Sequence, residues 1–154
     1  MQFSSQQDIL APIERAFDIL SDFNQIETIA RGRKIDVKRL DNLTQAGVGL
    51  SWDISFKMRG KRRELIVDLV EFTRPDTLAF SGVSSSFEIE ANVVLTEVTP
   101  MKTRMKIVTS IAPRSLGARL MIQSAKLGKT SLNKKYDKRI KAFADAITAF
   151  AARS

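Results

Sequence analysis

Phe3, Ser5, Gln7 and Ile9 alternate with polar neighbours, which predicts a first, edge-like strand. The period then becomes helical. Ile13, Ala16, Phe17 and Leu20 share one face, and Pro12 suits a first helical position, where the N–H it lacks is not needed. Ser21-Asp22 ends that helix and caps a second. Gln25 stands three residues beyond Asp22 in capping-box order, and Phe23, Ile26 and Ile29 form the apolar side.

From Lys34 the period is two for most of the next eighty or so residues, the pattern of a strand meander. Ile35 and Val37 open it, and the clearest strand runs through Leu50, Trp52, Ile54, Phe56 and Met58, with Ser51, Asp53, Ser55 and Lys57 on the wet face. After the turn at Arg59-Gly60-Lys61-Arg62, Leu65 to Phe72 is apolar in both registers, which predicts cover on both sides. Leu78, Phe80 and Gly82, then Phe87 to Leu95, then Met105, Ile107, Thr109 and Ile111 complete seven strands, separated by Arg74-Pro75-Asp76, Ser84-Ser85-Ser86 and Thr99-Pro100-Met101-Lys102.

Pro113 closes the sheet and Ser115 caps a helix expected over residues 115 to 152, interrupted at most around Gly128 to Ser131. Leu132, Tyr136, Ile140, Phe143, Ile147 and Phe150 form its predicted seam. In its first half, Leu116 and Leu120 lie away from Met121, Ile122 and Ala125, so more than one side wants cover. Strands run together and helices stand apart, which predicts an α+β domain over residues 1–154, with a seven-stranded curved antiparallel sheet wrapped around the C-terminal helix and two short helices between strands 1 and 2.

Composition narrows the chemistry. The 154 residues contain no cysteine and no histidine, which removes disulfides, thiolate nucleophiles, cysteine-ligated metals and every imidazole base. No cofactor is expected and no catalytic residue is assigned. Absent cysteine suits a reducing cytoplasm. The N-terminus has no basic segment followed by an apolar one, and no apolar run approaches the roughly 20 residues that span a bilayer, so a cytoplasmic location is expected. The net charge of +8 favours anionic partners.

The order of elements and some local wording resemble the polyketide cyclase/dehydrase and lipid-transport group of the START/Bet v 1-like (SRPBCC, helix-grip) superfamily. The carriers are residues 9–17, Leu20-Ser21-Asp22-Phe23, residues 75–82 and Ala112-Pro113-Arg114-Ser115-Leu116. These mark turns, helix starts and core positions, so they specify a fold more than an activity. The resemblance implies a cavity between the long helix and the concave sheet, used by relatives for lipids, sterols, polyketides, quinones or plant hormones.

Alternation supplies that face with Trp52, Ile54, Phe56, Met58, Phe80, Phe87, Ile89, Ala91, Met105 and Ile107, with Tyr136 from the helix seam. Thr109 and Ser131 are weaker candidates for orienting a head group. Asp53, Glu88 and Glu90 fall in the outward register and offer no convergent acid pair. Gly128-Lys129-Thr130 ends like a phosphate loop, but Gln123 stands where the motif needs glycine.

Two basic clusters, one at Lys57, Arg59, Lys61, Arg62 and Arg63 and one from Lys126 to Lys141, suit an anionic membrane surface. Nucleic acid is disfavoured, because few exposed aromatics interleave with the charges. The expected function is binding, with carriage as an extension, of a hydrophobic small molecule. The alternatives are a cofactor-independent cyclase or dehydrase and a membrane- or ribosome-docking module. The cavity is expected to open near the two short helices and the hairpin tips, with Trp52 and Phe56 on its wall.

Overall fold

The computed structural model describes residues 1–58 and 60–153; Arg59, counted above among the hairpin-tip cations, lies outside them. Among the described residues seven strands form one antiparallel sheet: β1 (Gln2–Ile9), β2 (Asp36–Arg39), β3 (Ser51–Met58), β4 (Lys61–Thr73), β5 (Thr77–Val83), β6 (Phe87–Thr99) and β7 (Lys102–Pro113). The order is β1-β7-β6-β5-β4-β3-β2, so β1 and β2 are the edges. Four helices accompany it: α1 (Ile13–Leu20) and α2 (Phe23–Gly32) between β1 and β2, then α3 (Leu116–Leu127) and α4 (Lys129–Ala152) after β7.

The predicted terminators act nearly where expected. Asp22 caps α2 by accepting from the Gln25 amide at 3.3 Å, and Ser115 caps α3 by accepting from the Ala118 amide at 3.0 Å. Pro12 sits one residue earlier than expected, as the cap of α1. Gly128 splits the expected C-terminal helix into α3 and α4.

Register settles what alternation left open in β4. Leu65, Val67 and Leu69 pair with Ile54, Trp52 and Phe80 on the concave side, and the pairing then shifts between Leu69 and Glu71. The extra residue reverses the alternation, so that Phe72 also turns inward opposite Leu78. The run apolar in both registers is therefore two inward-facing pieces joined by a bulge. Ile66 and Val70 are left exposed on the outer face, not covered as expected.

Two further expectations change. On α2, Phe23 and Glu27 are the buried residues, while Ile26 and Ile29 are exposed. Phe23 and Glu27 are one turn apart on the same face: the first packs on Trp52 at 5.4 Å between ring centroids, and the second pairs with Arg39 at 2.9 Å. On α4 the enclosed residues are Ala144 and Ile147, with Tyr136, Ile140 and Ala151 beside them, whereas Phe143 is 38% exposed. Steps of four from Tyr136 through Ile140 to Ala144 each drift about 40° around a helix of 3.6 residues per turn, so the buried stripe leaves Phe143 for Ala144, whose small side chain admits close approach.

α4 packs chiefly along β1 and α1. It is pinned to the edge strand by polar groups: Ser5 and Gln7 both donate to the Asp137 carboxylate, and Thr148 accepts from the Leu10 amide at 3.0 Å. On the outer face, Asp8 of β1 accepts from Arg104 of β7 at 3.0 Å.

Ile147→Ala is expected to cost about 2–5 kcal/mol in a chemical melt, and Phe143→Ala less than half as much; equal losses would put Phe143 back in the seam. The hydrogen-bonded Arg104 and then Lys102 hold the Asp8 carboxyl below its ordinary 3.8, against a burial contribution that raises it. A depressed carboxyl pKa stabilises the fold above the unfolded value and loses that contribution as pH falls through the folded one. Stability measured downward from about pH 5 should therefore fall less steeply in Asp8→Asn than in the parent.

Candidate functional site

Pairing register puts every predicted lining residue of the sheet on one face. Trp52 opposes Val67, Val67 opposes Gly82, Gly82 opposes Ile89, and Ile89 opposes Ile111, which makes one row across five strands. The next row runs Leu69, Phe80, Ala91, Thr109 and Phe3. Ile54 with Leu65, and Phe56 with Arg63, extend the face toward the tip between β3 and β4. Residues directly opposite in an antiparallel pair share a side, so this is a continuous concave surface.

The two ends of that surface differ. At the α1/α2 end, Ile9, Phe17, Leu20, Leu69, Leu78, Leu95 and Met105 are enclosed. There Phe23 of α2 packs tilted against Trp52 and edge-on against Phe80, with centroids 5.4 and 6.2 Å away, and Trp52 is buried. Met105 and Ile107 also belong to this packed core. At the opposite end, Ile54, Phe56, Phe87 and Ile89 are only half-buried, and Met58 at the strand tip is exposed. The short helices thus plug the end where an opening was expected, because Phe23 fills the space they border. The accessible apolar surface lies toward the hairpin tips.

Polar groups on this face are few. The hydroxyls of Tyr136 on α4 and Thr109 on β7 are 2.9 Å apart, and the tyrosine ring packs on Phe3 at 5.4 Å. Burial raises the Tyr136 pKa above 10, with the Thr109 hydrogen bond opposing, so the hydroxyl is protonated at neutral pH. It can donate or accept a hydrogen bond there but is not a base.

Arg39 lies over the Trp52 ring at 5.5 Å and is neutralised by Glu27 and Asp41. Arg63 shares the concave register with Phe56, and its Nε, like that of Arg39, is buried without a hydrogen-bond partner among the described residues. In the sequence Arg63 stands among the tip cations, and the hairpin register that sets it opposite Phe56 is the signal that singles it out.

Asp53, Glu88 and Glu90 lie on the other face, as the alternation predicts. That face carries a polar depression of ≈ 330 Å³ bordered by Asp36, Asp53, Arg62 and Glu64, across which Arg62 and Asp36 pair at 2.8 Å. Ser131 is exposed on α4. No described helix is long and apolar enough to cross a membrane.

No protein-family model matches the chain, and no curated protein matches it by sequence. Solved structures do match. A Thermus thermophilus protein superposes with a TM-score of 0.67 at 14% identity, over 97% of this chain and 98% of that one. The Zhui aromatase/cyclase of Streptomyces sp. R1128 gives 0.67 at 12% identity, over 99% and 94%. A START superfamily protein from Mycobacterium smegmatis gives 0.56 at 11%, over 89% and 97%. With its antiparallel sheet curved around a C-terminal helix, the chain therefore has the helix-grip fold of the START/Bet v 1-like superfamily.

Proposed function

We propose that the protein binds a hydrophobic small molecule on the concave face, with its apolar body against Ile54, Phe56, Phe80, Phe87 and Ile89. The observation that carries this reading is the half-burial of these five residues within a continuous apolar surface whose other end is closed by Phe23, Trp52 and the core. An apolar wall with few placed polar groups is the usual composition of a ligand site. A polar end of the ligand would meet Arg63 at the open end or the Tyr136–Thr109 pair further in. Carriage of the ligand between locations asks for no further residue.

The similar structures support the ligand class. One is an aromatase/cyclase, and norcoclaurine synthase from Thalictrum flavum, similar with a TM-score of 0.68 at 10% identity, is in complex with dopamine and hydroxybenzaldehyde. Binding is favoured over catalysis here because the carboxylates Asp53, Glu88 and Glu90 lie on the outer side of the sheet and do not converge on the face.

Native mass spectrometry of freshly purified protein tests this directly, since a retained lipophile shows itself by mass. A bound lipid or aromatic compound should also change the emission of Trp52, the only tryptophan, through its contact with Phe80. It should stabilise the fold by about 2.7 kcal/mol at a hundredfold excess over its dissociation constant. Ile89→Phe should reduce that stabilisation while leaving the unliganded melting temperature within a few degrees. A chemically broad panel that neither shifts Trp52 emission nor raises the melting temperature would overturn the reading.

Tyr136→Phe removes the hydrogen bond to Thr109 and is expected to cost about 0.5–1.5 kcal/mol of stability. In an ultraviolet titration, the Tyr136 phenol of the parent should ionise above pH 10, and higher still in Thr109→Val, where the opposing hydrogen bond is gone.

A further inference from the structure

Helix α3 is amphipathic in an unusual sense, because its larger apolar residues face outward. Ala118 and Ile122 are its buried residues, whereas Leu116 is 73% exposed, Leu120 57%, Leu127 91% and Met121 45%. Spacings of four and seven put the three leucines in one stripe about 40° wide. Scattered exposed leucines are ordinary, but a helical stripe of them marks an interaction surface.

The charge along this stretch of the chain has one sign. No acidic residue stands between Glu97 and Asp137, while nine basic residues do. Arg119 and Lys126 are on α3 itself, and Lys129, Lys134 and Lys135 follow on α4. Register also places α3 at the open end of the concave face. β7 ends at Pro113 opposite Phe87, the first residue of β6, at the same end as the Met58–Lys61 tip, and α3 starts three residues after Pro113. That tip adds exposed Met58, Lys57 and Lys61.

We propose that α3 docks in the headgroup region of an anionic lipid bilayer, leucine stripe inward and Arg119 and Lys126 at the phosphates, which brings the open end of the concave face to the lipid. A helix with an apolar stripe and a basic rim lies in the plane of such an interface. A second copy of the chain is the poorer occupant, since a self-complementary contact would set the same basic rim against itself.

The test uses vesicles without added ligand, so its failure leaves the concave-face binding reading standing. The full chain should co-sediment with phosphatidylcholine vesicles containing about a third phosphatidylglycerol, weakly or not at all with pure phosphatidylcholine, and less as salt rises. Because the chain has no cysteine, Leu127→Cys gives a single site for an environment-sensitive fluorophore, whose emission should shift to the blue on the anionic vesicles. Leu120→Glu with Leu127→Glu, both at exposed positions, should lower vesicle affinity at least tenfold with little change in melting temperature. Arg119→Gln or Lys126→Gln should lower it about fivefold each.

Three results would each overturn the proposal. One is no binding to anionic vesicles, and another is binding that the double glutamate variant leaves unchanged. The third is a concentration-dependent dimer in sedimentation velocity that the same variant abolishes, which would make the stripe a contact between copies.

Discussion

A mismatch of widths governs this structure. Seven strands about 4.8 Å apart make a sheet roughly 30 Å across, and a single helix is about 10 Å wide with its side chains. One helix cannot cover the concave face that such a sheet presents. α4 takes the β1 side, α1 and α2 close one end, and the apolar surface from Ile54 to Ile89 is left half-covered. The candidate site is this remainder, and it exists because the chain supplies too little helix to fill it.

How the helix is held decides which part remains. The inward positions Ser5 and Gln7 of β1 are polar, and they meet Asp137 of α4, so the helix is fixed over the edge strand by directional bonds as well as by apolar contact. At the plugged end the fixing is aromatic and ionic together: Phe23 on Trp52 and Phe80, Arg39 over Trp52, and Glu27 on Arg39. These groups act from α2, β2, β3 and β5. They convert one end of a trough into core while leaving the other end accessible.

The accessible end is where the remaining oddities of the sequence gather. Arg63 faces the apolar wall with an Nε that no described residue pairs, and the exposed leucines of α3 stand beside the strand tips. An apolar residue left in water forgoes roughly 1.5–3 kcal/mol of burial, so three exposed leucines on one stripe are a sizeable sacrifice for a monomer. A lipophilic ligand and a lipid surface would each use what the fold leaves exposed.

Strand number, helix starts, the outward placing of Asp53, Glu88 and Glu90, and the shared face of Trp52, Ile54, Phe56, Phe80 and Ile89 were all legible in the chain, because a period of two or 3.6 is a local property of the backbone. The break at Gly128 and the caps at Asp22 and Ser115 were legible for the same reason. The depth of burial along a face was not, since Ile54 and Leu69 share a face and differ only in what lies above them. The bulge at Val70 was hidden because an extra residue shows only against its partner strand. Phe143 and Ala144 exchanged roles because the angle at which α4 crosses the sheet is set by Ser5, Gln7 and α1, far away in sequence. Outside the β4 bulge, periodicity determined which side each strand residue faces; only the packing of distant elements decided which of those sides were covered.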